Sequence, residues 1–340
     1  MKLFISLSFA SLFIGLTFAD VGENSLSNSN WRLLMDSSPL DSRYGSNSWS
    51  DDNGDGYIFG GYGVNQKYYN DLWKYNYAIN KWILINPNPE LAPRYGANSW
   101  VSSNDQIYLF GGRGTGNVFL NDFWKYNIRT NTWFELNSNT PLKPRFGASS
   151  WQDNQQNLYI FGGSSDGGTS LIYLNDLWMY NVKEHEWKEI SEETAPSPRT
   201  DAIAWTDLNG NGYIFGGAGI GGGYLNDLWK FDVINNKWLE ITDNAPIQGR
   251  ADANAWLNSK GTIVYIFGGI GLGSTYFNDL WKYNIKKNEW TKSNVFASIS
   301  PRFASSMFVL KSLDIVYIFG GVEGAGSTIK YYNDLWRLDF

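Results

Sequence analysis

The chain has 340 residues, with 27 Lys and Arg against 33 Asp and Glu, one His, no Cys, 36 Gly, and 17 Trp, 21 Tyr and 20 Phe. Without Cys there is no disulfide and no Cys nucleophile, and a single His excludes metal centres built on two or more imidazoles. The net charge of -6 offers no basic footprint for a phosphate backbone, so we expect no nucleic-acid partner. Abundant aromatic residues and Gly favour β-structure with many tight turns.

The first predicted segment is a secretion signal at residues 1–19. Lys2 supplies a charged start, an apolar run extends from Leu3 to Phe18, and Ala19 is a small residue before Asp20. The run is too short and wrongly flanked for a spanning helix, so we expect no membrane insertion. The sequence therefore predicts a secreted, extracellular protein, or a periplasmic one in a bacterium. Residues 20–30 are expected to form a short polar segment.

From residue 31 onward the chain contains six copies of one pattern, with a period of 51 to 54 residues. Each copy has, in order, an Arg, a Gly-Gly pair, an Asn-Asp-(Leu/Phe)-Trp motif and a second Trp. Short alternating runs bounded by Gly, Asn and Pro predict four strands per copy, A to D. The repeated Arg residues are Arg43, Arg94, Arg145, Arg199, Arg250 and Arg302.

A further strand is predicted ahead of the first copy. Trp31 stands 12 residues before Arg43, and 12 residues also separate the second Trp of each copy from the next Arg. The sixth copy has no second Trp after Asn333. We therefore expect residues 31–34 to complete the sixth copy and to close a ring, which would pair the last exposed sheet edge.

The order Pro-Arg-(Tyr/Phe)-Gly, Tyr-Ile-Phe-Gly-Gly and Asn-Asp-Leu-Trp-Lys-Tyr-Asn resembles the kelch repeat, and the resemblance covers residues 31–340. It implies an all-β, six-bladed β-propeller of four-stranded antiparallel blades, similar to the central domain of galactose oxidase, in a single domain. We expect a monomer. The fold does not specify the function, because one fold supports many functions.

Residue types that recur in every copy are most simply explained as scaffold. We interpret all 17 Trp as packing between blades, and the repeated Arg and Asn-Asp carboxylates as ion pairs or loop anchors. Strand order places the B-to-C and D-to-A loops on one face, which we call the top. The B-to-C connection is three residues longer in copies three and six, and insertions on one face commonly mark the binding side.

Residues that break the sixfold pattern on the top face are the candidate ligand contacts. In kelch adaptors, ligand contacts come from the residue after each Arg and from the residues just after Gly-Gly. The resemblance therefore implies that the same positions of this chain bind a ligand. A mixed aromatic and polar rim would suit a protein or glycan ligand, and solvated loop tips are the alternative interpretation. The candidates are Tyr44, Tyr95, Phe146 and Phe303 after the Arg, with Tyr62, Arg113, Ser164, Asp166 and Glu323 after Gly-Gly.

Two bottom-face loops have the spacing of a calcium site, because oxygen ligands stand at positions one, three and five. No carboxylate closes either site, and such Asn/Asp/Gly runs also make ordinary hairpin turns. Calcium is therefore one interpretation and a plain turn the other, and we expect no other cofactor. The loops contain Asp51, Asn53 and Asp55, and Asp207, Asn209 and Asn211. The lone His185 falls in a predicted C-to-D turn.

Enzymes of this fold would leave recognisable residues. A galactose-oxidase-like copper site needs a Tyr-Cys crosslink and two His, which this composition cannot supply. N-acetylneuraminate epimerases, which are secreted kelch propellers without metal or Cys, remain the enzymatic alternative, with Arg113, Asp166 and Glu323 as the charged candidates. The leading hypothesis is a secreted, non-catalytic binding module, and no catalytic residue is assigned.

Overall fold

The computed structural model describes residues 31–339, apart from 87–88, 103–104, 138–139, 191–193 and 296–297. The expected signal at residues 1–19 and the polar segment at 20–30 lie outside the described residues. The described part consists of antiparallel sheets joined by turns and one-turn 3-10 helices, which confirms the all-β, six-bladed propeller. None of its helices is long and apolar enough to cross a membrane.

Each blade has the strand order A-B-C-D, and the A strands of neighbouring blades contact each other around the central channel. The A strands are Asn47–Ser50, Asn98–Ser102, Ser149–Gln152, Ile203–Thr206, Asn254–Leu257 and Ser306–Leu310. The B strands are Gly56–Gly63, Gln106–Gly114, Leu158–Asp166, Gly212–Phe215, Ile263–Phe267 and Ile315–Phe319. The C strands are Tyr68–Asn76, Phe119–Asn127, Leu171–Asn181, Leu228–Asp232, Leu280–Asn284 and Leu335–Asp339. The D strands are Lys81–Asn86, Thr132–Asn137, Glu186–Ile190, Lys237–Thr242, Glu289–Lys292 and Arg32–Met35.

Short strands and 3-10 turns complete the description. The short strands are Arg43–Tyr44, Arg94–Tyr95, Arg199–Thr200, Ala218–Gly219, Ile270–Gly271, Thr275–Tyr276, Val322–Glu323 and Lys330–Tyr331. The 3-10 turns are Val64–Gln66, Thr115–Asn117, Leu272–Ser274, Lys311–Leu313 and Gly326–Thr328. All the short strands belong to B-to-C or D-to-A connections, so they lie on the top face.

The D strand of the sixth blade comes from the beginning of the described chain. Arg32–Met35 pairs with Leu335–Asp339, with Leu33 opposite Trp336. This pairing is consistent with the closure expected from the spacing of Trp31. The sixth and first blades are also joined along the channel, because the Ser48 hydroxyl donates to the Met307 carbonyl at 2.8 Å and accepts from the Met307 amide at 3.0 Å.

The apolar core lies between adjacent blades rather than at one centre. One such layer joins Trp49 and Phe59 of the first blade to Leu109 and Tyr126 of the second. The Trp49 ring also stacks on Tyr57 of strand B at 5.7 Å, with 6° between the planes. A ring of this size buries roughly 150 to 250 Å². Because every blade must fill the same two faces, the same aromatic positions recur in every copy.

Each repeated Arg is fully buried and forms the expected ion pair. Arg94 donates to both carboxylate oxygens of Asp122 at 2.7 Å, and to the carbonyls of Gly111 and Ala92 at 3.0 and 3.1 Å. Asp122 also accepts from the Trp124 indole at 2.7 Å. The same bidentate pairing occurs in all six blades. The prediction of structural ion pairs is therefore confirmed.

We predict that Arg94→Ala lowers the free energy of unfolding by about 3 to 5 kcal/mol, because it leaves the partly buried Asp122 carboxylate without its cation. Urea denaturation followed by tryptophan fluorescence measures the change. Arg129→Ala is the matched control, since its exposed ion pair should contribute less than about 1 kcal/mol. Similar small losses in both variants would contradict the structural role of the repeated Arg.

Candidate functional site

The two sets of positions predicted to contact a ligand meet on the top face. In each blade the residue after the Arg pairs with the residue after Gly-Gly, as Tyr44 does with Tyr62 and Tyr95 with Arg113. The remaining pairs are Phe146 with Ser164, Thr200 with Ala218, Ala251 with Ile270, and Phe303 with Val322. Six short antiparallel contacts thus surround the mouth of the central channel.

The Gly-Gly pair allows strand B to reach this position. Gly111 and Gly112 have φ values of +64° and +98°, which L side chains rarely adopt. A Cβ on Gly111 would lie 2.9 Å from the carbonyl oxygen of Arg145 in the next blade. The Gly112 amide donates to that same carbonyl at 2.8 Å. The doublet therefore bends the strand and attaches each blade to its neighbour.

A closed ring of backbone hydrogen bonds surrounds the channel mouth. The second residue after each Arg donates its amide to the carbonyl of its counterpart in the preceding blade, as Gly96 does to Gly45 at 2.8 Å. The ring consists of Gly45, Gly96, Gly147, Asp201, Asp252 and Ala304, all at positive φ. It encloses a depression of about 200 Å³. Because backbone atoms make the ring, its diameter does not depend on side-chain rotamers.

Two carboxylates line this depression. Asp201 and Asp252 are adjacent in the ring, and the Thr200 hydroxyl donates to Asp201 Oδ2 at 3.1 Å. Burial raises the pKa of Asp201 to about 6, although the hydrogen bond from Thr200 acts in the opposite direction and lowers it. Burial and the neighbouring Asp201 charge raise the pKa of Asp252 well above its usual range. Within the described part of the chain, neither carboxylate has a Lys or Arg partner.

Sequence reasoning missed these two carboxylates, although their position carries a signal. The kelch resemblance implies contacts at the residue directly after each repeated Arg, and these two carboxylates stand one residue further on. That next residue is Gly in copies one to three, Ala in copy six and Asp in copies four and five. Asp201 and Asp252 therefore break the sixfold pattern as clearly as Arg113 does at the position just after Gly-Gly.

A repeated aromatic position also belongs to this face, although repetition by itself indicates a scaffold residue. The ring stands two residues before the Asn of each Asn-Asp motif and is half-buried on the top face. Tyr68 contacts Tyr62 at 4.8 Å between ring centres, and Phe119 contacts Phe146 at 5.7 Å. The six residues are Tyr68, Phe119, Tyr173, Tyr224, Tyr276 and Tyr331. A repeated residue can therefore belong to the rim as well as to the core.

Aromatic rings on five of the six blades touch one another in sequence around the mouth. Tyr95 contacts Phe146 and Tyr44, both at 5.8 Å, and Tyr44 contacts Phe303 at 6.3 Å. The Arg113 guanidinium lies 5.7 Å from the Phe146 ring centre. We call this set the aromatic crescent: Phe119, Phe146, Tyr95, Tyr68, Tyr62, Tyr44, Tyr331, Phe303 and Tyr276.

The opposite part of the mouth is acidic and has smaller paired residues, with Tyr224 as its one aromatic neighbour in the fourth blade. Thr200, Ala218 and Ala251 stand where other blades carry large side chains, and Asp201 and Asp252 lie beside them. The top face is therefore asymmetric, with an aromatic side and an acidic side.

Other predicted contacts are separated from the mouth. Ser164 is completely buried, so it presents no hydroxyl at the surface, which corrects its place among the accessible contacts. Asp166 lines a different cleft of about 650 Å³ between blades two and three. Glu323 accepts a hydrogen bond from the Tyr332 hydroxyl at 2.6 Å. Of the three charged candidates for an enzyme, Arg113 and Asp166 both lie near Phe119, whereas Glu323 pairs with Tyr332 in the sixth blade.

The calcium-like loops form hairpin turns. Asp51 Oδ1 accepts from the amides of Asn53 and Asp55 at 3.0 and 2.9 Å, and Lys74 lies 2.7 Å from Asp55. Asp207 accepts in the same way from Asn209 and Asn211, and Asp153 makes the same turn without calcium spacing. The described residues contain no group of three or more His, Cys, Asp or Glu that could hold a metal. Calcium binding stays a prediction.

His185 occupies a C-to-D turn, as predicted. It has a φ of +57°, and its Nδ1 lies 3.2 Å from the Tyr180 hydroxyl. In the first, second and fifth blades the equivalent residue is an Asn that accepts from the equivalent Tyr. His185 therefore takes the place of a turn Asn.

If the bottom loops are turns, calcium should not change stability. We expect the same melting temperature in excess calcium and in chelator, both for the unmodified chain and for Asp207→Asn, which keeps the turn geometry. A calcium-dependent rise that Asp207→Asn abolishes would instead establish a site, because a ligand that binds only the folded state stabilises it.

We predict that Asp252→Asn raises the free energy of unfolding at pH 7 by about 1 to 2 kcal/mol. A carboxyl whose folded-state pKa is raised costs stability as the pH rises above its unfolded-state pKa near 3.8, and that cost is absent below it. The gain should therefore disappear as the pH falls from 7 to about 4. Asn also accepts the left-handed backbone. Asp52→Asn, on an exposed bottom loop, is the control. A gain in stability that does not depend on pH would contradict the raised pKa of Asp252.

Comparison with known proteins is consistent with this geometry. A family model described as the KLHDC2/KLHL20/DRC7 Kelch-repeats domain matches residues 15–151 and 138–321. Kelch domain-containing protein 3 of Homo sapiens is 27% identical over 317 residues, which cover 84% of this chain and 81% of that protein. Kelch domain-containing protein 10 of Xenopus laevis is 24% identical over 294 residues, which cover 80% and 69%.

Proposed function

The chain belongs to the kelch-repeat family, and on that premise we propose that it is a secreted, non-catalytic interaction module whose top face binds a partner protein. Secretion rests on the sequence pattern of residues 1–19. The observation that carries the binding proposal is the aromatic crescent, a connected set of half-buried rings on one side of the channel mouth.

The crescent has the composition of a protein interface. Tyr, Phe and Arg are enriched at interface centres, because the rings offer a large contact area at low entropy cost and Arg offers several hydrogen-bond donors. The Tyr44 and Tyr95 hydroxyls are protonated at neutral pH, as an ordinary Tyr is, and burial raises the pKa of both further. Together with the Arg113 guanidinium they supply polar contacts within an apolar surface.

The support under the crescent is rigid. Tyr44 and Tyr95 each follow a buried Arg that is held by a carboxylate and by two backbone carbonyls. The next residues, Gly45 and Gly96, belong to the closed backbone ring. A surface held in this way loses little freedom on binding, so more of the contact energy contributes to affinity.

Binding to peptides tests the proposal. A random peptide library displayed on phage is selected on the immobilised chain, and the dissociation constant of each enriched peptide is measured. Tyr62→Ala and Arg113→Ala should weaken binding about tenfold or more at unchanged melting temperature. Phe134→Ala, an exposed ring on an outer strand, and Arg129→Ala are matched controls and should bind normally.

Two results would contradict the proposal. One is that selection enriches no peptide that depends on the top-face residues. The other is that a glycan array shows top-face-dependent binding where peptides show none, which would assign the crescent to sugar stacking.

A further inference from the structure

We propose that the partner protein inserts a basic side chain, Lys or Arg, into the channel mouth beside Asp201 and Asp252, while the adjoining part of the partner lies on the aromatic crescent. This inference rests on the proposed function, since it specifies the chemistry of the ligand for the same face.

The shape of the mouth favours one inserted side chain. The depression of about 200 Å³ is smaller than the roughly 300 to 1,000 Å³ of typical small-molecule pockets. Thr200, Ala218 and Ala251 have small side chains beside the acidic pair, and Tyr224, which pairs with Ala218, adds one aromatic ring on that side. Both carboxylates are half-buried there and remain in contact with solvent.

The absence of a cationic partner among the described residues distinguishes Asp201 and Asp252 from the Asn-Asp carboxylates and from Asp55. Each Asn-Asp carboxylate has a buried Arg, and Asp55 has Lys74. The Asp201 carboxylate has only the Thr200 hydroxyl, and no hydrogen bond or ion pair joins the Asp252 carboxylate to another described side chain. Two neighbouring carboxylates without a cation are costly to bury. A cationic group from a ligand would relieve that cost.

The aromatic neighbours suit the rest of such a side chain. Burial is the main cause of the raised pKa of the Tyr44 and Tyr95 hydroxyls, and the Asp252 and Asp201 charges add to it. Lys and Arg lay their methylene stems on apolar surface and keep the charged head among polar groups. Ring faces also attract the cation itself. The acidic pair and the crescent are thus placed to contact the head and the stem of one residue.

Anionic ligands and metal ions fit the mouth less well. Arg113 is the cation on the crescent, but its guanidinium lies over the Phe119 and Phe146 rings. An acidic group at the mouth would meet Asp201 and Asp252 instead. A metal ion would find two carboxylates and no third acidic, His or Cys ligand among the described residues.

Four peptide pools test the inference on the full chain. Each pool contains random hexapeptides, acetylated and amidated so that the ends carry no charge, with one central residue fixed as Arg, Lys, citrulline or Glu. Citrulline keeps the shape of Arg without its charge. Fluorescence anisotropy should show the Arg and Lys pools binding at least tenfold more tightly than the citrulline pool, and the Glu pool most weakly.

The double variant Asp201→Asn/Asp252→Asn should lose this preference for charge while it retains binding of the citrulline pool. Asn accepts the left-handed backbone at both positions, and an unchanged or raised melting temperature confirms that the variant folds. Asp52→Asn, on the bottom face, should keep the full preference.

The outcomes separate the two proposals. Equal binding of all four pools, or a preference for charge that persists in the double variant, overturns the basic side chain and leaves the top face as a protein-binding surface. A preference lost equally in Asp52→Asn overturns it as well. If no pool binds, both the basic side chain and the proposed function fail.

Discussion

The buried pair of Arg and Asp in each blade is the interaction on which the top face depends. In the second blade, the Arg94 guanidinium donates to a carbonyl of its own loop, to the Gly111 carbonyl in strand B and to the carboxylate of the Asn-Asp motif in strand C. A buried Arg must keep all of these partners, because an unpaired buried charge costs several kcal/mol. The residue after the Arg is a rim residue in every blade. Satisfying the Arg therefore also positions the rim.

Stability and binding make opposite demands on the channel mouth. Gly at three ring positions accepts the left-handed backbone without strain, whereas Asp201 and Asp252 add strain and mutual repulsion. Residues that lower stability and serve no packing role are commonly found at functional sites. The same two carboxylates account for the expected gain in stability of Asp252→Asn and for the expected preference for a basic ligand.

The repeat spacing predicted most of the fold, including the strand at Arg32–Met35 that pairs with the sixth blade. A fixed spacing is informative because each blade must present the same aromatic faces and the same Arg and Asp to its neighbours. The bottom loops were ambiguous for an equally physical reason. Asp and Asn at alternate positions satisfy either a cation or the amides of a hairpin turn, and the residues are the same in both cases.

The sequence by itself determined the blades, the face on which the unrepeated residues lie, and the two sets of positions that form the rim, because strand alternation and the repeat period decide them. Only the tertiary structure decided that Ser164 is buried and that Asp201 and Asp252, 51 residues apart, share one depression without a cation. It also decided that the rings form a crescent open on one side. Burial and charge coupling depend on which blades become neighbours around the channel, and the closed ring of backbone hydrogen bonds sets those distances.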